Sequence, residues 1–315
     1  MAISAPLSGA ILGAGAWGTA LASLLEVNRH PMRIWSRRGG ISLAECVRES
    51  EILICAIAMR GVPEVIARLQ KISLERSPII VTATKGLDPS AFQTPSQLWQ
   101  AAFPHSPVVV LSGPNLAKEI TRGWPAATTV ASRDRTAAAR VQALFASKRF
   151  RVYTHDDPLG TELGGTLKNI IAIAAGACDG LQLGANAKAA LIARGLAETI
   201  RVGQYFRADA ATFAGLSGMG DLIATCNSPL SRNYQVGYRL AQGDSLANIL
   251  AELVGTAEGI QTAEVVVQLS DREGIPVPIT RQVLHVLQET IAPREALAEL
   301  MERDPISEFD RSEWG

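Results

Sequence analysis

The sequence predicts an α/β chain, with a doubly wound sheet of Rossmann type in its N-terminal half and an all-α C-terminal half. Three observations carry this expectation. Short apolar runs alternate with helix-like segments up to about residue 155. The first of these runs ends in Gly13-Ala14-Gly15-Ala16-Trp17-Gly18, the G-x-G-x-x-G spacing that joins a strand to a helix. Beyond residue 156 the strand-like runs stop, and long patterns rich in Ala, Ile and Leu follow the helical period. The domains read from this change are 1–155 and 156–315.

Each glycine of the first turn has a physical task. Gly13 permits the tight turn, Gly15 leaves no side chain in the way of a pyrophosphate, and Gly18 lets the helix pack closely on the strand. The helix that follows, 19–28, begins with free N–H groups and a partial positive charge suited to phosphates. A second strand is expected at 31–36, ending in Arg37-Arg38-Gly39-Gly40, and a short helix at 41–48. The run Ile52-Leu53-Ile54-Cys55-Ala56-Ile57 reads as a buried strand of parallel type. A helix at 62–69, a strand at 78–83 ending in Thr84-Lys85-Gly86, and a helix at 95–103 come next. Then follow a strand at 108–111 ending in Ser112-Gly113-Pro114-Asn115, a strand at 126–131, a helix at 135–145 and a strand at 150–153. In doubly wound sheets ligands sit beyond the carboxyl ends of the strands. The turns at Gly13, Arg37, Lys85 and Gly113 fall there.

In the second half, long helices are expected at 159–181 and 186–206. Leu163, Leu167, Ile170, Ile171 and Ala174 repeat at helical spacing in the first of them. Shorter helices are expected at 233–242, 246–253, 260–272, 280–287 and 294–303. The segment 215–222 reads as a glycine-dense turn carrying the carboxylate of Asp221, and 304–315 as a polar tail.

Composition narrows the function. Thirty basic and thirty acidic side chains cancel, which argues against a general nucleic-acid binder. With 47% hydrophobic and 19% charged residues, the chain carries a sizeable core. Cys46, Cys55, Cys178 and Cys226 lie far apart, as reduced thiols of an intracellular protein do, and form no metal-ligand spacing. His30, His105, His155 and His285 form none either, so no metal site is expected. No apolar run approaches the length of a membrane span and no signal peptide is apparent, so the expected location is the cytoplasm.

Several residues stand out as candidates for chemistry. A site for unphosphorylated dinucleotide places a carboxylate near the end of the second strand, to bond the ribose 2′-OH. Here no carboxylate lies between Glu26 and Glu45, and Arg37 and Arg38 stand there instead, suited to a 2′-phosphate. That points to NADPH, with NADH as the other option; an exposed basic turn is the plainer reading. Lys85 sits at a mouth of the sheet, where a lysine is often simply solvated. Lys168 and Asn169 lie in a helix that is otherwise apolar as far as Cys178. A lysine there snorkels to water, pairs, or works as an acid or base at a cleft. Ser231-Arg232-Asn233 at a helix start suits either an anion clamp or a plain N-cap.

Taken together, GAGAWG, WSRR, ATKG, LSGPN, LKN, GLSGMGDLIATC, SRN and AEG occur in one order over residues 8 to 290. This set resembles the bacterial NAD(P)-dependent glycerol-3-phosphate dehydrogenases, and LKN with GDLIATC followed by SRN is its most specific part. The resemblance implies reduction of dihydroxyacetone phosphate to sn-glycerol 3-phosphate by NADPH or NADH, for phospholipid synthesis, and a homodimer. It implies cofactor contacts at Gly13, Gly15, Ala16, Trp17, Gly18, Arg37, Arg38, Lys85 and Ala117, with Arg232 and Glu258 bordering the cofactor. It implies substrate contacts at Lys85, Gly113, Asn115, Lys168, Asp221, Ser231, Arg232 and Asn233, with Lys168 as the proton-transfer residue. Asp221 then orients Lys168, while Asn169 and Thr225 hold substrate hydroxyls or the same network.

The sequence departs from the family pattern in three places. The family carries some tens of residues between the second strand and the strand at Ile52, where this chain has very few, so one strand of the sheet is expected to be missing or rebuilt. The family's Val-Pro-Ser after that strand is Ile57-Ala58-Met59 here. Ala16 and Asn115 replace small hydroxyl residues. Two other readings compete with the main one: a β-hydroxyacid or 6-phosphogluconate type of dehydrogenase, which shares the helix-borne lysine, and a non-catalytic NADPH-binding protein.

Overall fold

The computed structural model describes residues 7–30 and 32–303. The first residue of the expected second strand, Pro31, and the tail 304–315 lie outside the described residues. The chain divides into two compact units. The first comprises the chain up to Asp88 together with Gln93–Glu162; the second comprises Pro89–Phe92 and the chain from Leu163 onward.

The first unit is a seven-stranded sheet in the order β2-β1-β3-β4-β5-β6-β7. Its elements are β1 (Gly9–Leu12), α1 (Ala16–Val27), β2 (Arg33–Trp35), α2 (Leu43–Val47), β3 (Ile52–Cys55), α3 (Val62–Leu69), β4 (Ile79–Thr82), α4 (Pro95–Ala102), β5 (Val108–Ser112), α5 (Ala117–Thr121), β6 (Ala126–Ala131), α6 (Arg135–Phe145) and β7 (Phe150–His155). β1 to β5 are mutually parallel, so the turns after Leu12, Trp35, Thr82 and Ser112 share one edge. β6 runs antiparallel to β5, and β7 is parallel to β6.

Alternation along the strands sorts the core into two layers. Ile11, Ile52, Ile54, Val81, Val109 and Leu111 face one way, against Leu21 and Leu25 of α1 and Val141 and Phe145 of α6. Ala10, Leu12, Leu53, Cys55 and Ile80 face the other, against Leu43 and Val47 of α2, Val62 and Ile66 of α3, and Trp99 of α4. Helices thus cover both faces, as a doubly wound sheet requires. The short crossover after Arg38 leaves no gap beside β1: β2 and β3 pair with it on either side, with Leu12 opposite both Trp35 and Cys55. The five residues of α2 suffice for the crossover, closed at their start by a capping box between Ser42 and Glu45.

The chain passes into the second unit along α7 (Pro158–Gly180). The second unit holds α8 (Gly184–Tyr205), α9 (Asp221–Cys226), α10 (Arg232–Ala241), α11 (Leu246–Glu252), α12 (Glu258–Glu273), α13 (Pro278–Leu287) and α14 (Pro293–Met301). α7 and α10 pack with almost no side chain between them: a Cβ on Gly237 would lie 1.8 Å from the Ile173 carbonyl oxygen, and one on Gly176 2.0 Å from that of Tyr234. The glycine-dense segment is not the turn that the sequence suggests. Leu216–Gly220 forms a π turn that runs straight into α9, so Asp221 starts a helix. The small residues let this coil lie close to its neighbours; a Cβ on Gly218 would meet the Phe213 carbonyl oxygen at 2.1 Å. All four cysteines are buried free thiols. Among the described residues no helix is long and apolar enough to cross a membrane.

Candidate active site

The fingerprint turn is built as its spacing requires. Gly13 has φ +119°, a conformation closed to ordinary side chains, and a Cβ there would lie 2.5 Å from the Ala56 carbonyl oxygen. Its N–H donates to the Trp35 carbonyl oxygen at 2.8 Å, so one turn touches both neighbouring strands. A Cβ on Gly18 would lie 1.9 Å from the Gly13 carbonyl oxygen, which fixes how closely α1 sits on the turn. Gly15 is the N-cap of α1, and no side chain caps the helix start, which opens earlier than the expected residue 19. Nothing lies within 4 Å of a Cβ position at Gly15, and the first turn holds no acidic residue. Ala16 is exposed and Trp17 half-buried against the core. Free N–H groups over open space fit the pyrophosphate of a dinucleotide.

Along the same edge, Arg37 and Arg38 are exposed after β2. Lys85, half-buried after β4, donates from Nζ to Ser112 Oγ at 2.6 Å. Asn115 Nδ2 donates to Thr128 Oγ1 at 3.1 Å, and Thr128 Oγ1 donates to the Ser112 carbonyl oxygen at 3.1 Å. Asn115 Oδ1 is buried with no partner among the described residues, an acceptor left for a ligand donor. A Cβ on Gly113 would lie 3.0 Å from Asn115 Nδ2, so a side chain there would crowd this amide. Ala117 opens α5 and packs partly against the core.

Sequence reasoning missed Glu162, which is fully buried in the first unit. It accepts from the Ser96 N–H at the start of α4 at 3.1 and 3.2 Å, and from the Ser96 hydroxyl. Burial pushes its carboxyl up to about 7, against the hydrogen bonds from Ser96 and Thr94 that favour the charged form. A lone glutamate near a helix start carries no signal for such a role, because its partner is 66 positions away.

In the second unit the structure joins three predicted residues. Lys168 on α7 donates from Nζ to Asp221 Oδ1, and to Thr225 Oγ1 at 2.9 Å. Asp221 and Thr225 lie one turn apart on α9, with Thr225 Oγ1 3.4 Å from Asp221 Oδ1. The lysine side chain is 11% exposed and the aspartate 1%. Asp221 Oδ2 is buried with no partner among the described residues. A buried ammonium, held by a carboxylate but still reaching solvent, can give a proton to a ligand oxygen.

Next to it three helices converge. Asn233 Oδ1 accepts the Gly259 N–H at 3.0 Å, and a Cβ on Gly259 would lie 2.7 Å from the Asn169 carbonyl oxygen. Asn169 and Asn233 are both buried. Ser231 is the N-cap of α10, its Oγ accepting the Tyr234 N–H at 3.2 Å. The capping role is therefore real, and it leaves the hydroxyl proton to donate elsewhere. Arg232 lies over Gly255, where a Cβ would come within 2.2 Å of its Nη1, and Glu258 supplies the opposing charge. Of the predicted residues, Gly13 to Ala117 lie in the first unit and Lys168 to Glu258 in the second.

The comparisons with known proteins agree over most of the chain. The family described as NAD-dependent glycerol-3-phosphate dehydrogenase C-terminus matches residues 157–298, and the corresponding N-terminus matches 9–42 and 38–138. The two N-terminal stretches overlap at residues 38–42, around Gly39 and Gly40. The chain is 59% identical over 300 residues to a glycerol-3-phosphate dehydrogenase (NAD(P)+) of Trichormus variabilis, covering 95% of this chain and 98% of that one. A protein of the same description from Acaryochloris marina is 58% identical over 294 residues, covering 93% and 95%. Among solved structures, glycerol-3-phosphate dehydrogenase of Coxiella burnetii superposes with a TM-score of 0.90 at 32% identity, covering 94% of this chain and 99% of that one.

Proposed function

The chain belongs to the NAD-dependent glycerol-3-phosphate dehydrogenase family, and from that membership we infer that it interconverts dihydroxyacetone phosphate and sn-glycerol 3-phosphate. It is an NAD(P)-dependent oxidoreductase acting on a CH–OH group. The product supplies the backbone for glycerophospholipids. We assign cofactor binding to residues 1–155 and substrate chemistry to 156–315, and we take the protein to act in the cytoplasm as a homodimer. Sedimentation of the purified chain tests the dimer, and a single species at 33.5 kDa would reject it.

The observation that carries the reading is the buried Lys168–Asp221–Thr225 cluster. When bound, the reduced nicotinamide supplies a hydride to C2 of the ketone. Lys168 polarises the carbonyl oxygen as charge grows on it and gives it a proton. Asp221 and Thr225 hold the ammonium in place, and Asn169 steadies the substrate hydroxyls. Arg232, with Ser231 and Asn233, grips the phosphate, a remote group whose binding positions the reacting carbon. Lys85, Gly113 and Asn115 contribute further substrate contacts, Lys85 facing the cofactor as well. Gly13, Gly15, Ala16, Trp17 and Gly18 hold the pyrophosphate end, Ala117, Arg232 and Glu258 border the cofactor, and Arg37 with Arg38 select NADPH over NADH.

Replacing Lys168 with Ala tests the assignment. Turnover should fall by about 10²–10⁴-fold, while NADPH still binds, as followed by its fluorescence. A rate near wild type would overturn it. Steady-state rates with dihydroxyacetone phosphate and each cofactor test the NADPH preference, and equal efficiencies would reject it.

A further inference from the structure

We propose that Arg60 is a third cation of the adenosine 2′-phosphate site, acting with Arg37 and Arg38 in choosing the phosphorylated cofactor. The proposal rests on the cofactor reading above. β2 and β3 flank β1, so the turns that leave them lie on either side of the fingerprint turn. Gly13 touches both, through the Trp35 carbonyl oxygen on one side and that of Ala56 on the other. Neighbouring strands are about 4.8 Å apart, so the two outer turns start roughly 10 Å from each other. That gap is within the reach of extended arginine side chains.

The turn after β3 is pinned. Thr84 Oγ1 donates to the Ile57 carbonyl oxygen at 3.0 Å, and the Gly61 N–H closes onto that of Ala58 at 2.9 Å. Met59 is 1% exposed, in the same core layer as Trp35. Burial of Met59 leaves the adjacent Arg60 exposed at the rim. Among the described residues Arg60, Arg37 and Arg38 have no ion-pair or side-chain hydrogen-bond partner; the nearby Glu64 pairs with Arg68 instead. Stability does not account for Arg60, because a cation just ahead of a helix start opposes the helix dipole. Three unneutralised guanidinium groups around one phosphate-binding turn fit a dianion.

Calorimetric titration of the full chain with adenosine 2′,5′-bisphosphate and with adenosine 5′-monophosphate tests this. Arg60→Ala should weaken the bisphosphate about tenfold and leave the monophosphate within about twofold. Arg60→Lys should recover part of the loss and Arg60→Glu should exceed it. If the Arg37→Ala/Arg38→Ala pair loses bisphosphate affinity while Arg60→Ala loses none, or loses both ligands equally, the role of Arg60 is overturned and the cofactor reading stands. If the unmodified chain binds both nucleotides equally, the 2′-phosphate site itself is overturned, and Arg60 with it.

Discussion

Lys168 lies 53 positions from the carboxylate that holds it, and the charge of that carboxylate is what keeps a buried ammonium tolerable. Asp221→Asn should therefore cost about 3–5 kcal/mol of stability, because it leaves the lysine charge buried without its partner. It should also lower kcat, since the lysine loses the carboxylate that fixes its place. Loss of stability with an unchanged kcat would make Asp221 structural alone. Thr225→Val removes a neutral acceptor and should cost only about 1 kcal/mol. At this scale the sequence was partly legible. The glycine spacing at Gly13, Gly15 and Gly18 has a meaning that depends on local backbone alone: Gly13 and Gly18 make the close approaches expected of them, and Gly15 faces open space. The pairing of Lys168 with Asp221 is a tertiary fact, visible in the sequence only through resemblance to relatives. The unpartnered oxygens of Asn115 and Asp221 had no sequence signal, since they arise from how the surrounding atoms close around them.

Elements were legible where apolar runs were long enough to show a period. The strands at Ile52, Ile79, Val108, Ala126 and Phe150 follow their apolar or alternating runs. The short helices α5 and α9 were not seen: α5 follows directly on the Ser112-Gly113-Pro114-Asn115 turn, and α9 is preceded by glycines that read as a turn. The reversal of β6 was equally hidden, since nothing in its own residues records the direction of its neighbour. Two buried glutamates show the same limit. Glu162 caps the start of α4, and Glu198 on α8 accepts from the Ile279 and Thr280 N–H groups at 2.9 and 2.8 Å at the start of α13. Burial raises both. For Glu162 the folded value of about 7 exceeds its usual 4.5, so its protonated form favours the folded state. That contribution is complete below about pH 4.5 and is lost as pH rises through 7. The stability of wild type relative to Glu162→Gln should therefore fall by roughly 1–3 kcal/mol across this window. Urea midpoints of both proteins from pH 4.5 to 8 check it, and a constant difference would reject it. A second test concerns helix packing. Gly237→Ala has no room between α10 and the Ile173 carbonyl oxygen, and should lower stability by about 1–3 kcal/mol or more. It should also raise the KM for dihydroxyacetone phosphate, because α10 carries Arg232 and Asn233. A thermal melt and a KM measurement decide it.

For the molecule as a whole, the sequence revealed two units because two kinds of burial leave different patterns. A sheet covered on both faces needs continuous apolar strands, and a helical unit needs stripes at the helical period. The shortened crossover after Arg38 was visible as missing length, but its outcome was not: five residues of α2 close the step and keep β1 flanked on both sides. The four cysteines are spread over this architecture, Cys46 on α2 and Cys55 on β3 in the first unit, Cys178 on α7 and Cys226 on α9 in the second. Burial pushes their thiols up, to about 11 for Cys46 and Cys55 and about 12 for Cys226. Cys178 is raised as well. A thiol that is both hidden and protonated cannot be alkylated until its surroundings open. Each cysteine is thus a gauge of local unfolding. Iodoacetamide at neutral pH should label none of them in the native protein at the rate of a free thiol, and labelling should quicken with denaturant. Peptide mapping then separates Cys46 and Cys55 from Cys178 and Cys226, so a single time course measures the opening free energy of each unit in the same tube.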